Sequence, residues 1–182
     1  PGPGEVLVEV LRAGICGSDK GCADHGQLFN DASQALLGAD LFDLQERIVF
    51  VHVFVASVVA YGPDTSGAIP IGTRVVAMPL LLREPQVMLG FAGVQLPGAY
   101  AQKMVLSEAL LLPVPDELPT EVAALTEPLA VAQRAVNRID TTTRDVPFVQ
   151  GCGPIGLAII AVLKARGVGP IVASDLSAER RQ

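Results

Sequence analysis

The sequence predicts a chain of mixed class, β through residues 1–140 and α/β through residues 141–182. Three observations carry this. Short apolar runs recur between Gly and Pro turns over the first two-thirds of the chain, the habit of an antiparallel β domain. The stretch Val146 to Asp175 sets a G-x-G-x-x-G turn between an apolar run and an apolar segment of helix length. Between the two parts, Asp140 to Asp145 is polar and without pattern, and marks a boundary.

Taken in order, Glu5 to Leu11 (EVLVEVL) has the alternating character of a strand. Ala13 to Asp24 (AGICGSDKGCAD) reads as a polar, glycine-bearing loop that holds Cys16 and Cys22. Phe29 to Arg47 has no clean period and reads as an insertion with a short helix near Ala32 to Leu37. Ile48 to Tyr61 is a long β-branched run that contains His52 and stops at the turn GPDTSG. Thr73 to Met78 is a further strand closed by Pro79, and Tyr100 to Leu106 and Leu110 to Leu112 complete the series. Together these strands predict a compact, largely antiparallel β domain or barrel. From Thr120 the pattern turns helical. Pro128 disfavours the α region for the residue before it, so a short helix, a break at Glu127 and a second helix from Pro128 to Ile139 are expected.

The last part is the most informative. Val146 to Val149 is a short apolar run of the kind a buried parallel strand needs. Gly151, Gly153 and Gly156 follow, and Pro154 stands where a helix begins, a position that tolerates its missing N–H. Ile155 to Arg166 forms the helix, Gly167 sits where a left-handed cap is wanted, and Ile171 to Ser174 is the second strand. Asp175 stands at its tip, 19 positions beyond Gly156. Each part has a job in holding a dinucleotide. Gly151 permits the tight turn, Gly153 lets a pyrophosphate approach the backbone, and Gly156 lets helix and strand pack closely. The helix N-terminus offers unpaired N–H groups to the phosphates. Asp175 accepts hydrogen bonds from the adenosine ribose and repels a 2′-phosphate, which favours NAD over NADP. The plain alternative is a βαβ unit whose glycines serve packing alone.

Composition narrows the class. Half of the 182 residues are hydrophobic and 18% are charged, enough to bury a core and against disorder. The net charge of −6, with no basic run and no stacking ladder of aromatics, argues against a nucleic-acid surface. Cys16, Cys22 and Cys152 are odd in number and not spaced as a disulfide framework, which suits a reducing compartment. The longest apolar run, around Val49 to Ala60, is too short to span a bilayer, and no signal peptide is expected from the opening residues. The expectation is a cytoplasmic protein without nucleic-acid or membrane partners.

Cys16, His52 and Glu127 are candidates for a metal site. A thiolate, an imidazole and a carboxylate give zinc three ligands and leave a fourth position open, as catalytic zinc requires. Each also has a plain reading: Cys16 as a small hydrophobe, His52 as a satisfied core histidine, Glu127 as a carboxylate at a helix start.

The chain resembles the medium-chain, zinc-dependent alcohol and polyol dehydrogenases, in which a GroES-like β domain precedes a Rossmann domain. The residues carrying the likeness are Gly14 to Asp19 (GICGSD), His52 with the following FVASVVAYGPDT, Gly72 to Val76 (GTRVV), Gly98 to Gln102 (GAYAQ), Glu127 to Val131 (EPLAV), and GCGPIG with Asp175. By that resemblance residues 1–140 form the GroES-like domain and residues 141–182 the first βαβ unit of an incomplete Rossmann domain. Cys16 and His52 match zinc ligands, and Glu127 the acidic ligand or near-ligand of polyol-type members. Ser18 matches the hydroxyl that passes the substrate proton outward, and Asp19 a carboxylate that orients a metal-bound imidazole. Ile155 and Arg180 match positions contacting the cofactor. The implied reaction is hydride transfer from a zinc-bound secondary alcohol or polyol to NAD, with a small-molecule alcohol as substrate and a homo-oligomer as the full-length assembly.

The sequence departs from the family pattern at several places. Where the family has Gly-His-Glu, this chain has Val51-His52-Val53, which removes a charge near the metal. The His often found after GICGSD is absent, with Lys20-Gly21 in its place, and Met78 to Gly98 contains no cysteine, so one catalytic zinc and no structural zinc are expected. The chain stops at Gln182, where family members continue to about twice the length, so this polypeptide alone is expected to be inactive. Two rivals stand beside the leading reading: a protein that keeps the fold and has lost the chemistry, and a zinc-free quinone-reductase-like enzyme.

Overall fold

The computed structural model describes residues 1–37, 50–90 and 96–182. The chain divides into two units, Pro1–Leu125 and Thr126–Gln182.

The first unit is built on strand β1 (Glu5–Gly14), which leads into helix α1 (Gly17–Leu37). Strands β2 (Val53–Tyr61) and β3 (Arg74–Ala77) follow, then a short hairpin of β4 (Leu80–Leu81) and β5 (Val87–Met88). Strands β6 (Lys103–Ser107) and β7 (Leu111–Pro113) and the single turn α2 (Thr120–Ala123) complete it. The main sheet has the order β6-β1-β2-β3-β7 with every neighbour antiparallel, as the alternating runs predict. Two irregularities in the β1–β2 pairing, at Leu7/Val8 and Val10/Arg12, bend the sheet.

Both faces of this sheet are covered. Phe54, Ala56 and Val58 join Val6, Val8, Val75, Met104 and Leu106 in one core. Val55 and Val76, between them in sequence, point the other way and pack with Val114, Ala123 and Ala124. That explains why β2 reads as an unbroken β-branched run rather than an alternating one. Each of the fully buried valines and leucines contributes about 1.5–3 kcal/mol relative to exposure.

Two side chains tie loops to this frame. Glu5, 3% exposed, accepts two hydrogen bonds from Arg83 and one from the Gly2 N–H at 2.7 Å. Arg74, the arginine of GTRVV, donates from Nη1 to the Leu118 carbonyl (2.8 Å) and Thr120 Oγ1 (2.9 Å). Its Nη2 donates to the carbonyls of Pro115 (2.9 Å) and Asp116 (3.0 Å), so one guanidinium clips the whole 115–120 loop.

Two readings of this unit are corrected. The loop expected over Ala13 to Asp24 becomes helical from Gly17, because Asp19 accepts the Cys16 N–H and caps the first turn. Two helical pieces meet at His25, whose φ of −141° and ψ of 40° interrupt the run, and the helix expected near Ala32 to Leu37 is the end of the second piece. Of the insertion expected over Phe29 to Arg47, residues 38–47 lie outside the described residues. His52 stands just before β2 rather than within a strand.

The second unit holds α3 (Thr126–Asn137), β8 (Phe148–Gln150), α4 (Pro154–Ala165) and β9 (Val172–Ser174). β8 and β9 are parallel, joined through α4, which is the βαβ unit expected. Ala132 and Val136 of α3 pack with Val149, Val162, Leu163 and Val168. The packing therefore divides at Leu125/Thr126, earlier than the polar run at Asp140 to Asp145, which is the loop between α3 and β8. The helical break falls at Ala124–Leu125 rather than at Glu127. Pro128 sits in the first turn of α3, where its absent N–H would have had no helical partner.

The end of α4 is fixed as its glycine predicts. Gly167, at φ +73°, donates to the Lys164 carbonyl (2.9 Å), and Val168 donates to that of Leu163 (3.0 Å). Buried Val168 packs in the same cluster as Leu163, completing a Schellman cap. Among the described residues no helix is long and apolar enough to cross a membrane.

Candidate functional site

Each unit carries one group of candidate residues. In the first, the β1–β2 register does the positioning: Gly14 pairs with Val53. Cys16 lies just beyond Gly14 and His52 just before Val53, so antiparallel pairing delivers both to one end of the sheet. Helix α1 begins there and adds Ser18 and Asp19 in its first turn.

Asp19 is 4% exposed, and its Oδ2 accepts the Cys16 backbone N–H at 2.6 Å. Its Oδ1 and the Ser18 Oγ are buried without a hydrogen-bond partner. Buried polar atoms are ordinarily paired, and leaving one unpaired costs about 1–3 kcal/mol. Two such atoms within three residues of a half-buried cysteine mark a place shaped for something polar. The charge of Asp19 is felt nearby. Burial raises the Cys22 thiol above its ordinary range, with Asp19 and Cys16 adding to the effect. Burial and then Asp19 likewise raise the Tyr100 phenol, so Tyr100 of GAYAQ belongs to the same neighbourhood.

Val53, where the family carries Glu, is buried and meets Gly14: a Cβ added there would lie 3.0 Å from Val53 Cγ1. Val51 adopts φ +86°, the left-handed region that a β-branched residue rarely enters. Nothing in the sequence hints at this, since valine prefers β geometry.

Among the described residues no group of three or more His, Cys, Asp and Glu side chains stands ready to hold a metal. Glu127 belongs to the second unit, so neither unit alone contains all three proposed ligands. Within its own unit Glu127 is a half-buried residue in the first turn of α3, where a carboxylate is favoured by the helix dipole. Cys16 supplies the soft sulfur donor that suits zinc, and Asp19 Oδ1 is a buried acceptor left open beside it.

In the second unit the structure requires two of the three glycines and leaves the third unexplained by the fold. Gly151 has φ +100°. A Cβ on Gly156 would stand 1.8 Å from the Gly151 carbonyl oxygen, so no other residue fits. Gly153 has an ordinary extended backbone, φ −75°, and a Cβ there would meet only Arg180 Nη1 at 3.9 Å. Neither conformation nor packing requires that glycine. Its carbonyl accepts the Leu157 N–H at 2.9 Å to begin α4, with Pro154 as the first residue and exposed Ile155 beside it.

Asp175 closes the loop from the other side. Its Oδ2 accepts the Cys152 N–H and its Oδ1 the Ser177 N–H, both at 2.8 Å. The Cys152 N–H and then the Ser177 N–H hold the Asp175 carboxyl below the usual range, with Arg180 and Arg181 assisting. Arg180 lies 3.9 Å from Asp175 and is mostly exposed, which places its charge beside Gly153. The Cys152–Asp175 bond escapes sequence reading because Cys152 looks like filler between two glycines.

The profile of the family described as "Alcohol dehydrogenase GroES-like domain" matches residues 2–116. The (R,R)-butanediol dehydrogenase of Bacillus subtilis is 36% identical over 190 residues, covering 99% of this chain and 53% of the relative. The erythritol/L-threitol dehydrogenase of Mycolicibacterium smegmatis is 32% identical over 197 residues, covering 98% of this chain and 52% of the relative. The crystal structure of the Bacillus subtilis 2R,3R-butanediol dehydrogenase superposes with a TM-score of 0.76 at 34% identity, covering 100% of this chain and 53% of that one. The chain thus spans about half the length of the relatives it matches.

Proposed function

The chain belongs to the medium-chain, zinc-type alcohol dehydrogenase family, and from that premise we propose that it is the metal- and adenosine-binding part of an oxidoreductase acting on a secondary alcohol or polyol with NAD. The observation that carries the reading is Gly153, a glycine that the fold does not need and that a closely approaching pyrophosphate does.

Cys16 and His52 would hold the zinc, which would supply a Lewis acid for the alcohol oxygen, while the nicotinamide would supply the hydride acceptor. The remaining work falls to this chain's own groups. Ser18 takes the proton from the substrate hydroxyl and passes it outward. Asp19 fixes the Cys16 backbone and keeps one carboxylate oxygen available. The start of α4 offers its N–H groups to the phosphates. Ile155 lines the loop, Arg180 adds positive charge on the adenosine side, and Asp175 accepts the ribose hydroxyls, which favours NAD over NADP. The substrate is a small alcohol, and the whole protein is a homo-oligomer in the cytoplasm.

A second reading, a protein that keeps the fold without turnover, draws on Val53, whose side chain occupies with methyl groups a place where the family has a charge. Metal analysis and NADH titration on the same preparations separate the two. The dehydrogenase reading expects a single zinc per chain, lost in Cys16→Ser, and NADH binding that survives Cys16→Ser but falls in Gly153→Ala. Zinc absent even after expression in zinc-supplemented medium would overturn the metal site, and unchanged NADH binding in Gly153→Ala would overturn the cofactor site.

A further inference from the structure

The chain has two tyrosines, and the fold treats their hydroxyls differently. Tyr61 is half-buried and donates its hydroxyl to the Ile69 carbonyl. Tyr100 is 50% exposed, and among the described residues its hydroxyl makes no hydrogen bond. An exposed aromatic ring is common by itself. What distinguishes Tyr100 is where it is fastened. Its N–H donates to the Phe50 carbonyl at 3.2 Å, and the Ala99 N–H donates to that of Val51 at 2.8 Å. Residues 99–100 are thus tied to the two residues that precede His52. A Cβ on Gly98 would stand 2.5 Å from the Phe50 oxygen and 2.6 Å from the Val51 oxygen, so the two segments approach this closely only because residue 98 is glycine. The phenol itself lies on the side of the first turn of α1. Burial and then the Asp19 charge raise it, and Asp19 is the acid that accepts the Cys16 N–H at 2.6 Å. A neutral O–H with no partner in the fold therefore stands on a fixed backbone beside the candidate metal donors.

We propose that Tyr100 is a specificity residue of this site: its free hydroxyl, beside Cys16, Asp19 and His52, binds a second hydroxyl of the substrate, so that the preferred alcohol is a vicinal diol or polyol rather than a monoalcohol. The proposal rests on the dehydrogenase reading above. A reacting oxygen held at Cys16 and His52 is the same in every secondary alcohol, so those residues cannot tell one from another. A phenol alongside is both donor and acceptor, and it engages an oxygen on the carbon next to the reacting one. A monoalcohol has no such oxygen. Because Tyr100 is open to water, a monoalcohol leaves the phenol hydrated rather than stranded. The preference is therefore about tenfold, far below what a closed polar pocket reaches.

The test compares 1,2-propanediol with 2-propanol, which differ by one hydroxyl, on the whole zinc-loaded protein. The unaltered protein should favour the diol in kcat/KM. Tyr100→Phe keeps the ring and removes the oxygen, and should lower the diol-to-monoalcohol ratio about tenfold, mostly through KM. Tyr61→Phe, outside the site, should leave that ratio where it was. Binding gives a second readout on the residue itself. With only two tyrosines in the chain, Tyr61→Phe assigns the Tyr100 ring signals in NMR spectra. Those signals should shift on adding 1,2-propanediol and shift less on adding 2-propanol. An unchanged ratio in Tyr100→Phe, a preference of the unaltered protein for 2-propanol, or Tyr100 signals indifferent to the diol would overturn the proposal. Failure of the dehydrogenase reading looks different: the unaltered protein then oxidises neither alcohol, and the proposal falls with it.

Discussion

The carboxylate of Asp175 accepts the backbone N–H of Cys152 at 2.8 Å, so the acid at the end of β9 is wired to the middle of the glycine turn 23 positions earlier. The same carboxylate also accepts the Ser177 N–H, and both of its oxygens are engaged. An amide in its place would offer one acceptor and turn N–H groups toward an N–H.

Asp175→Asn should therefore loosen the glycine turn and weaken NADH binding about tenfold. The Asp175 carboxyl titrates below its ordinary value of 3.8, chiefly because of the Cys152 N–H. A lowered acid stabilises the fold fully above the unfolded value and loses that contribution as pH falls through the folded one. The turn should accordingly hold at pH 5 and above and relax only well into the acid range, as amide exchange at Cys152 would register. Exchange at that amide left unchanged by the Asp175→Asn substitution would refute the link.

Glu5 makes a similar prediction for the first unit. Its carboxyl is lowered from 4.5, first by the Arg83 hydrogen bond and then by Gly2, against a burial effect that raises it. By the same sign rule, stability from this pair is complete above about pH 5 and declines as pH drops below the unfolded value. Arg83 is 42% exposed, which tempers the pair, and Glu5→Gln should cost about 1–3 kcal/mol at neutral pH. Urea melts at pH 7 and pH 3.5 should show a gap between the two proteins that narrows in acid.

Arg74 holds the 115–120 loop with four hydrogen bonds to acceptors 41 to 46 positions away. Arg74→Ala should destabilise the first unit by about 2 kcal/mol, and Arg74→Lys should recover little of that, since a single ammonium cannot span the same fork. Chemical denaturation reads this directly, and a lysine variant as stable as the arginine protein would contradict it.

Two glycines of the second unit should differ sharply in what alanine does. Gly156→Ala places a methyl 1.8 Å from a carbonyl oxygen and should cost about 3 kcal/mol or more, melting the βαβ unit. Gly167→Ala meets nothing closer than 4.0 Å but must hold φ +73°, and should cost about 1 kcal/mol. Circular dichroism melts rank the two, and equal costs would count against the close approach at Gly156.

What the sequence makes legible follows from how local each signal is. Gly151, Pro154, Gly167 and Asp175 act within a few positions of themselves or at a spacing set by one helix, and the βαβ unit has its expected boundaries shifted by one or two residues. The antiparallel sheet is legible for the same reason. Helix α1 is not, because its first two turns carry Gly17 and Gly21 and it is started by a carboxylate reaching back to Cys16 rather than by an apolar repeat. The break before α3 is expected at Pro128's neighbour, although a proline in a first helical turn breaks nothing. Arg74 and Val51 are illegible in principle: the partners of one and the restraints on the other lie more than 30 positions away. Cys16 and His52 are joined by resemblance, and the β1–β2 register supplies the physical reason they share an end of the sheet.

That register also says something about how the molecule comes into being. β1 is gripped on one side by residues 53–61 and on the other by residues 103–107. A chain made from its N-terminus presents β1 long before either partner exists, and at about 5–20 residues per second several seconds pass before the second edge is closed. Through that interval an apolar strand with two open edges waits beside others like it on neighbouring polypeptides. Slow, late closure of this kind makes yield of folded protein depend on temperature and synthesis rate, quite apart from how stable the finished sheet is.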